Sequence, residues 1–187
     1  MASSMTSSAG ADDIPMAAIT RAHHMGLQVA DLERSVAFYR DILGFEVIFA
    51  WNPQAAYIRE LVGYPEADIH AAVLRLPGTD VVLELLDYRN VDRTPVDTGT
   101  ANPGTAHIAF FVDDLDNLYA ELTARGVRSV SAPVTPTIGP NEGGRAVYLL
   151  DPDGIRVELI QTRRSFAEYA AEQAADRPQE GAVGPRG

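Results

Sequence analysis

The sequence predicts an α+β protein built from two βαβββ modules, each with a mixed sheet that curls and pairs with the other. Three observations carry that expectation. HMGLQVADLERSVAFYRDILGFEVI, from His24, can be laid on HIAFFVDDLDNLYAELTARGVRSV, from His107, so that His24 falls on His107, Asp31 on Asp114, Leu32 on Leu115, and Gly44 within one position of Gly126. Further along, DVVLELL (Asp80 to Leu86) matches GIRVELI (Gly154 to Ile160), which sets Glu84 on Glu158. Both copies also pass from a β-rich run to helical spacing and back, and such self-similarity marks a repeated unit, here of roughly 65 to 80 residues.

Each element has a local reason. The run HHMGLQV reads as a strand and ends near Asp31, a residue suited to cap the helix that follows. Val36, Tyr39 and Leu43 then recur at the three-to-four spacing of a helix packed on a sheet, and Gly44 supplies a left-handed stop. Strands are expected over 45–51, 70–76 and 81–87. The segment WNPQAAYIRELVGYPEADI, with a short helix in QAAYIRELVG, is inserted before the third strand, where it can reshape a pocket mouth. In the second copy HIAFFV is the strand, Asp114 the cap, Leu115, Leu118 and Leu122 the apolar helix stripe, and Gly126 the stop. Strands follow over 128–131, 145–150 and 155–161. DPDG at 151–154 is a turn, with Pro and Gly where a turn wants them and no chemistry assigned.

These elements give one domain over 19–162, with module one at 19–90 and module two at 104–162. A C-terminal helix follows within 163–175. Residues 1–18, rich in Ser, Ala and Asp, and residues 176–187, rich in Pro and Gly, are expected to be disordered tails.

Composition narrows the chemistry. No cysteine is present, which excludes disulfides and thiolate metal sites, so any metal must be held by His, Asp or Glu. The net charge of −11 argues against nucleic acid or an anionic membrane as partner. No apolar run approaches the ~20 residues of a membrane span. The N-terminal MASSMTSSAGADDIP lacks the basic start and apolar centre of a secretory signal, so a cytoplasmic location is expected.

Strand alternation decides which residues share a face. His24, Gly26 and Gln28 point one way; His23, Met25, Leu27 and Val29 point the other, toward the helix. His107, Ala109 and Phe111 take the first face in the second copy, and Val82, Glu84 and Leu86 correspond to Arg156, Glu158 and Ile160. A carboxylate embedded in VVLELL or RVELI needs a metal, an arginine partner or a raised pKa, because burying an unpaired charge is costly. Ordinary sheet residues and hydrogen-bonded core histidines are the competing account. Two symmetric His/Glu pairs favour a divalent ion such as Zn²⁺, Ni²⁺, Co²⁺, Mn²⁺ or Fe²⁺. His70 has no counterpart in the repeat and reads as structural. Gln28, Trp51, Tyr88 and Tyr148 are candidate pocket residues, and Arg75 and Arg145 candidate anion contacts, each against a plainer reading as packing or surface ion pairs.

HMGLQVADLERSVAFYRDILGFEV, GTAHIAFFVDDLDNLYAELTARGV and YLLDPDGIRVELIQ together resemble the vicinal oxygen chelate superfamily over about residues 20–162. That superfamily groups glyoxalase I, methylmalonyl-CoA epimerase, extradiol dioxygenases and bleomycin- or fosfomycin-resistance proteins. The resemblance implies metal ligands at His24, Glu84, His107 and Glu158, as in glyoxalase-I-like members. A dioxygenase would use only His24, His107 and Glu158, so Glu84 weighs against that activity.

By the same resemblance the chemistry is metal-stabilised enolate formation on a small oxygen-chelating substrate. Glu158 is the first candidate for the base and Glu84 the second. No residues are assigned to an organic cofactor, and no cationic cluster is found for glutathione. The alternatives are a drug-sequestering resistance-type protein, which the complete quartet disfavours, and an Fe(II) extradiol-type dioxygenase, against which Glu84 weighs. Many members dimerise, with the site either between subunits or within one chain, and the two modules permit both.

Overall fold

A computed structural model describes residues 19–162 and 164–175. The expected tails at 1–18 and 176–187 lie outside the described residues, as does Arg163. In chain order the elements are β1 His24–Gln28, α1 Leu32–Ala37, β2 Val47–Trp51, α2 Ala56–Val62, β3 Asp68–Arg75, β4 Val82–Arg89, β5 His107–Phe111, α3 Leu115–Ala124, β6 Arg128–Ser129, β7 Arg145–Leu150, β8 Arg156–Gln161 and α4 Phe166–Ala175. The strands fall into two four-stranded sheets of order β1-β4-β3-β2 and β5-β8-β7-β6, not hydrogen-bonded to each other. In each, the first strand lies parallel to the fourth and the remaining pairs are antiparallel.

The repeat is visible in the caps as well as the topology. Asp31 accepts from the Arg34 amide at 3.0 Å and Asp114 from the Asn117 amide at 3.2 Å, the same N-cap bond one module apart. Gly44 and Gly126 take φ of 78° and 82°, which a residue with a Cβ adopts only under strain.

One expectation is corrected in detail. The first helix does not stay α-helical to its glycine; it passes at Phe38–Ile42 into a π-helical turn, closed by the Leu43 amide donating to the Phe38 carbonyl at 3.2 Å. The extra residue per turn rotates the register so that two adjacent aromatics, Phe38 and Tyr39, are both buried. β4 also runs to Arg89, two residues past its expected end, while β6 keeps only Arg128–Ser129 of the expected 128–131.

A single apolar cluster joins the two modules, drawing Leu74, Leu83 and Leu85 from one and Leu115, Leu149 and Val157 from the other. Phe45 and Phe110 meet edge to face across the halves at 5.2 Å. The turn at 151–154 is a clasp between modules. Asp153 accepts from the Ala30 amide at 3.1 Å, pairs with Arg34 and is 3.4 Å from the Ser35 hydroxyl. Asp151 is buried against Tyr39.

α4 begins with a reciprocal capping box: the Ser165 amide donates to Glu168 and the Glu168 amide to the Ser165 hydroxyl. No described helix is long and apolar enough to cross a membrane.

Candidate functional site

The core cluster takes one face of each sheet and leaves the other partly open, with Ala71, Val73 and Ile160 buried on it. On β4, Leu83 and Leu85 are fully buried under the helices, so Val82, Glu84, Leu86 and Tyr88 look the opposite way. The parallel register sets Gly26 beside Glu84 and Gln28 beside Leu86, which brings His24 onto that open face. β8 repeats the arrangement, with Val157 in the core and Arg156, Glu158 and Ile160 opposite.

Each histidine therefore stands diagonally across from its glutamate. His24 Nε2 is 3.5 Å from a Glu84 carboxylate oxygen, and His107 Nε2 is 3.2 Å from one of Glu158. Both imidazoles are nearly half exposed, at 43% and 45%, while the carboxylates are mostly covered, at 20% and 17%. The same geometry arises twice because the same strand register arises twice.

The structure brings each pair together but does not bring all four residues into one place. Among the described residues, no three His, Asp or Glu side chains form a group able to hold a metal ion. A cleft of about 990 Å³ lies against α4, and none of the four lines it. The donor set itself suits a divalent ion: two imidazoles with an exposed edge, each beside a carboxylate that needs a cationic partner.

The candidate pocket residues distribute around these pairs. Tyr148 packs edge-on against His107 at 5.3 Å. Its phenol is pushed above the ordinary value by burial, then by the charge of Glu158 and a hydrogen bond to it. Tyr88 is raised likewise, by burial first and then by Glu84 and Tyr64. Tyr64, contributed by the inserted segment, meets Tyr88 at 6.2 Å and was not foreseen. Gln28 is exposed on the His24 face. Trp51 lies on the edge strand, 45% exposed and 6.3 Å from Phe49, which its alternation with Trp51 could have flagged.

For Arg75, Arg145 and His70 the plainer readings hold. Arg75 and Arg145 are not free to bind an anion: Arg75 pairs with Glu46 at 2.8 Å and Arg145 with Asp116 at 2.6 Å. His70 sits in a polar knot, 3.1 Å from Asp68 and 2.9 Å from Asn52, which ties the inserted segment to β3. His23 lies just before β1, exposed, with its Nδ1 2.7 Å from Nδ1 of His24. The doublet is thus in contact, rather than divided cleanly between two faces.

A family model described as the glyoxalase/bleomycin resistance protein/dioxygenase superfamily matches residues 21–159. The chain belongs to that superfamily. Among superfamily relatives, the lactoylglutathione lyase of Haemophilus influenzae is 34% identical over 143 residues, covering 75% of this chain and 91% of that protein. A 2-epi-5-epi-valiolone epimerase from an Actinomyces species is also 34% identical, over 74% of this chain and 77% of its own length. The fold is shared with a glyoxalase family protein from Bacillus cereus, at a TM-score of 0.65 and 19% identity, covering 79% of this chain and 97% of that one.

Proposed function

We propose that this chain is a divalent-metal-dependent lyase or isomerase that moves a proton beside a carbonyl in a small oxygen-chelating substrate. His24, Glu84, His107 and Glu158 would be the ligands. The observation that carries the reading is the duplicated His–Glu geometry on two open sheet faces. Since the two pairs do not converge within the chain, the site is assembled when the first module of one copy meets the second module of another. A location in the cytoplasm fits the acidic, cysteine-free composition.

The ion, when bound, supplies Lewis-acid stabilisation of negative charge on the substrate oxygen. The rest falls to the side chains. Glu158 takes the proton from the carbon next to the carbonyl and returns it on the neighbouring carbon or the opposite face. Its mostly covered setting keeps bulk water from competing for that proton. Tyr148 packs edge-on against His107 at 5.3 Å and so steadies the imidazole beside Glu158. Glu84 and His24 complete the ligand set, and Glu84 is the second candidate for the base. Because the similar proteins are named as a lactoylglutathione lyase and a 2-epi-5-epi-valiolone epimerase, no single substrate is assigned.

Complementation tests the reading. His24→Ala and His107→Ala chains should each lose tight metal binding and turnover. Mixed, refolded or co-expressed, they should regain about a quarter of the wild-type sites, since half of random dimers are mixed and each carries one intact site. No recovery on mixing, with metal bound by the isolated wild-type monomer, would place the site within one chain. Absence of any stoichiometric metal in a chain that turns over substrate would end the metal reading.

A further inference from the structure

Arginines offer the clearest asymmetry outside the ligand quartet. Arg75 and Arg145, the candidate anion contacts, are spent on Glu46 and Asp116. Arg34 is held by Asp153, and Arg89 and Arg93 share Asp87. Arg156 differs. It is partly buried, makes no ion pair among the described residues, and its Nε is enclosed without any hydrogen-bond partner. Its sole described bond runs from Nη1 to the Gly154 carbonyl at 3.5 Å, the outer limit of such a contact.

Its place is as specific as its lack of a partner. Arg156 lies directly beside His107 in the β5–β8 register and two positions before Glu158 on the same open face. Two residues along a strand is about 7 Å, so the guanidinium stands within a small molecule's length of the proposed base. Asp97 and the Tyr148 phenol feel its charge without a hydrogen bond to it, Asp97 being engaged by the Gly99 amide at 2.8 Å, and Glu158 is occupied by His107 at 3.2 Å. A covered guanidinium donor with no acceptor is unfavourable until an acceptor arrives, and the planar guanidinium fork matches two oxygens of a carboxylate or phosphate.

We propose that Arg156 recognises an anionic group on the substrate, so that the substrate class is an anion whose carboxylate or phosphate lies a few bonds from its chelating oxygens. This rests on the metal reading above. The family's shared chemistry requires only the chelating oxygens; the additional charge is inferred from Arg156, whose enclosed Nε has no hydrogen-bond partner among the described residues.

The test compares malate with lactate, which share a 2-hydroxy acid head and differ by malate's second carboxylate. Titration calorimetry on the full, metal-loaded chain should show malate binding more tightly by roughly tenfold to a hundredfold, the range expected for a charged hydrogen-bonded contact. Arg156→Met should remove that preference while leaving lactate within about threefold, and Arg156→Lys should keep part of it. Arg75→Met should leave the ratio unchanged, and thermal melts confirm that each variant is folded. An equal malate-to-lactate ratio in wild type and Arg156→Met overturns the assignment. So does a loss of dimer mass in Arg156→Met with the ratio intact, because Arg156 would then pair with a second copy. If the chain takes up no ion, the metal reading fails by itself, and the ratio measured on the metal-free chain still decides the role of Arg156.

Discussion

The Tyr39 hydroxyl donates to the Asp151 carboxylate at 3.1 Å, joining residues 112 positions apart at a point where both are almost wholly buried. The same carboxylate accepts the Asp153 and Ile155 amides at 2.9 and 2.7 Å, so it organises the turn while the phenol anchors it. Tyr39→Phe leaves one carboxylate oxygen without its donor and should cost about 1–3 kcal/mol in denaturant unfolding. Asp151→Asn keeps an oxygen for the two amides and should cost less. Equal stability of Tyr39→Phe and wild type would show that the bond contributes nothing.

That pair also sets an alkaline limit. Burial, then the charge and hydrogen bond of Asp151, raises the Tyr39 phenol well above its ordinary value. A raised native pKa means that the unfolded chain releases this proton first. The stabilisation is therefore complete below the unfolded phenol pKa of about 10 and drains away above it, by up to about 1.4 kcal/mol per pH unit. Unfolding free energies measured from pH 8 to 11 should fall less steeply in Tyr39→Phe than in wild type. Asp151 is raised as well, chiefly by burial, so its contribution is greatest below about pH 4 and declines as pH rises past that.

Asp87 makes an asymmetric prediction. Its carboxylate is nearly buried, while Arg89 at 2.8 Å and Arg93 at 2.7 Å are nearly half exposed, Arg93 also donating to the Val29 and Ala30 carbonyls. Removing the aspartate frees two exposed cations and should cost about 1–3 kcal/mol. Replacing both arginines by Met strands a buried charge and should cost more, about 3–5 kcal/mol. Chemical denaturation of the two variants side by side checks the order. The reverse order would mean that Asp87 is solvated in the native state.

The histidine doublet separates by affinity. His24→Ala should abolish tight metal binding, whereas His23→Ala should weaken it by about tenfold, the scale of losing a contact behind a ligand. Titration of Co²⁺ followed by its visible absorption reads both. Comparable losses would make His23 a ligand in its own right.

Glu158→Gln and Glu84→Gln should split kinetics from binding. Both weaken the ion, but with saturating metal Glu158→Gln should still lower kcat by about 10² to 10⁴, and Glu84→Gln by far less. A larger kcat loss in Glu84→Gln would exchange the two roles.

Much of this fold was legible in the sequence because the repeat fixed two things together. Alternation along β1 and β4 placed His24 and Glu84 on one side, and the copy at His107 and Glu158 repeated the placement independently. What escaped depended on distant contacts. Nothing local to DPDG announces that Asp153 will meet the Ala30 amide, since the partner lies 123 residues away. The π-helical turn was hidden because Val36, Tyr39 and Leu43 keep a helical spacing on either account, and only the burial of Phe38 beside Tyr39 reveals the added residue. Arg156 was in view on the right face, but that Arg75 and Arg145 were already paired required the positions of Glu46 and Asp116.

The clasp made by Asp151 and Asp153 has a bearing on how the protein is born. The first helix and the loop before it are finished by atoms that enter the chain more than a hundred residues later. During synthesis at about 5–20 residues per second, the N-terminal half must wait some seconds with Tyr39 unanchored and its apolar side uncovered. Loop closure over that separation favours slow, concerted folding over sequential folding of the halves. A truncated chain ending before the turn would then be a client of chaperones rather than a smaller version of the same protein.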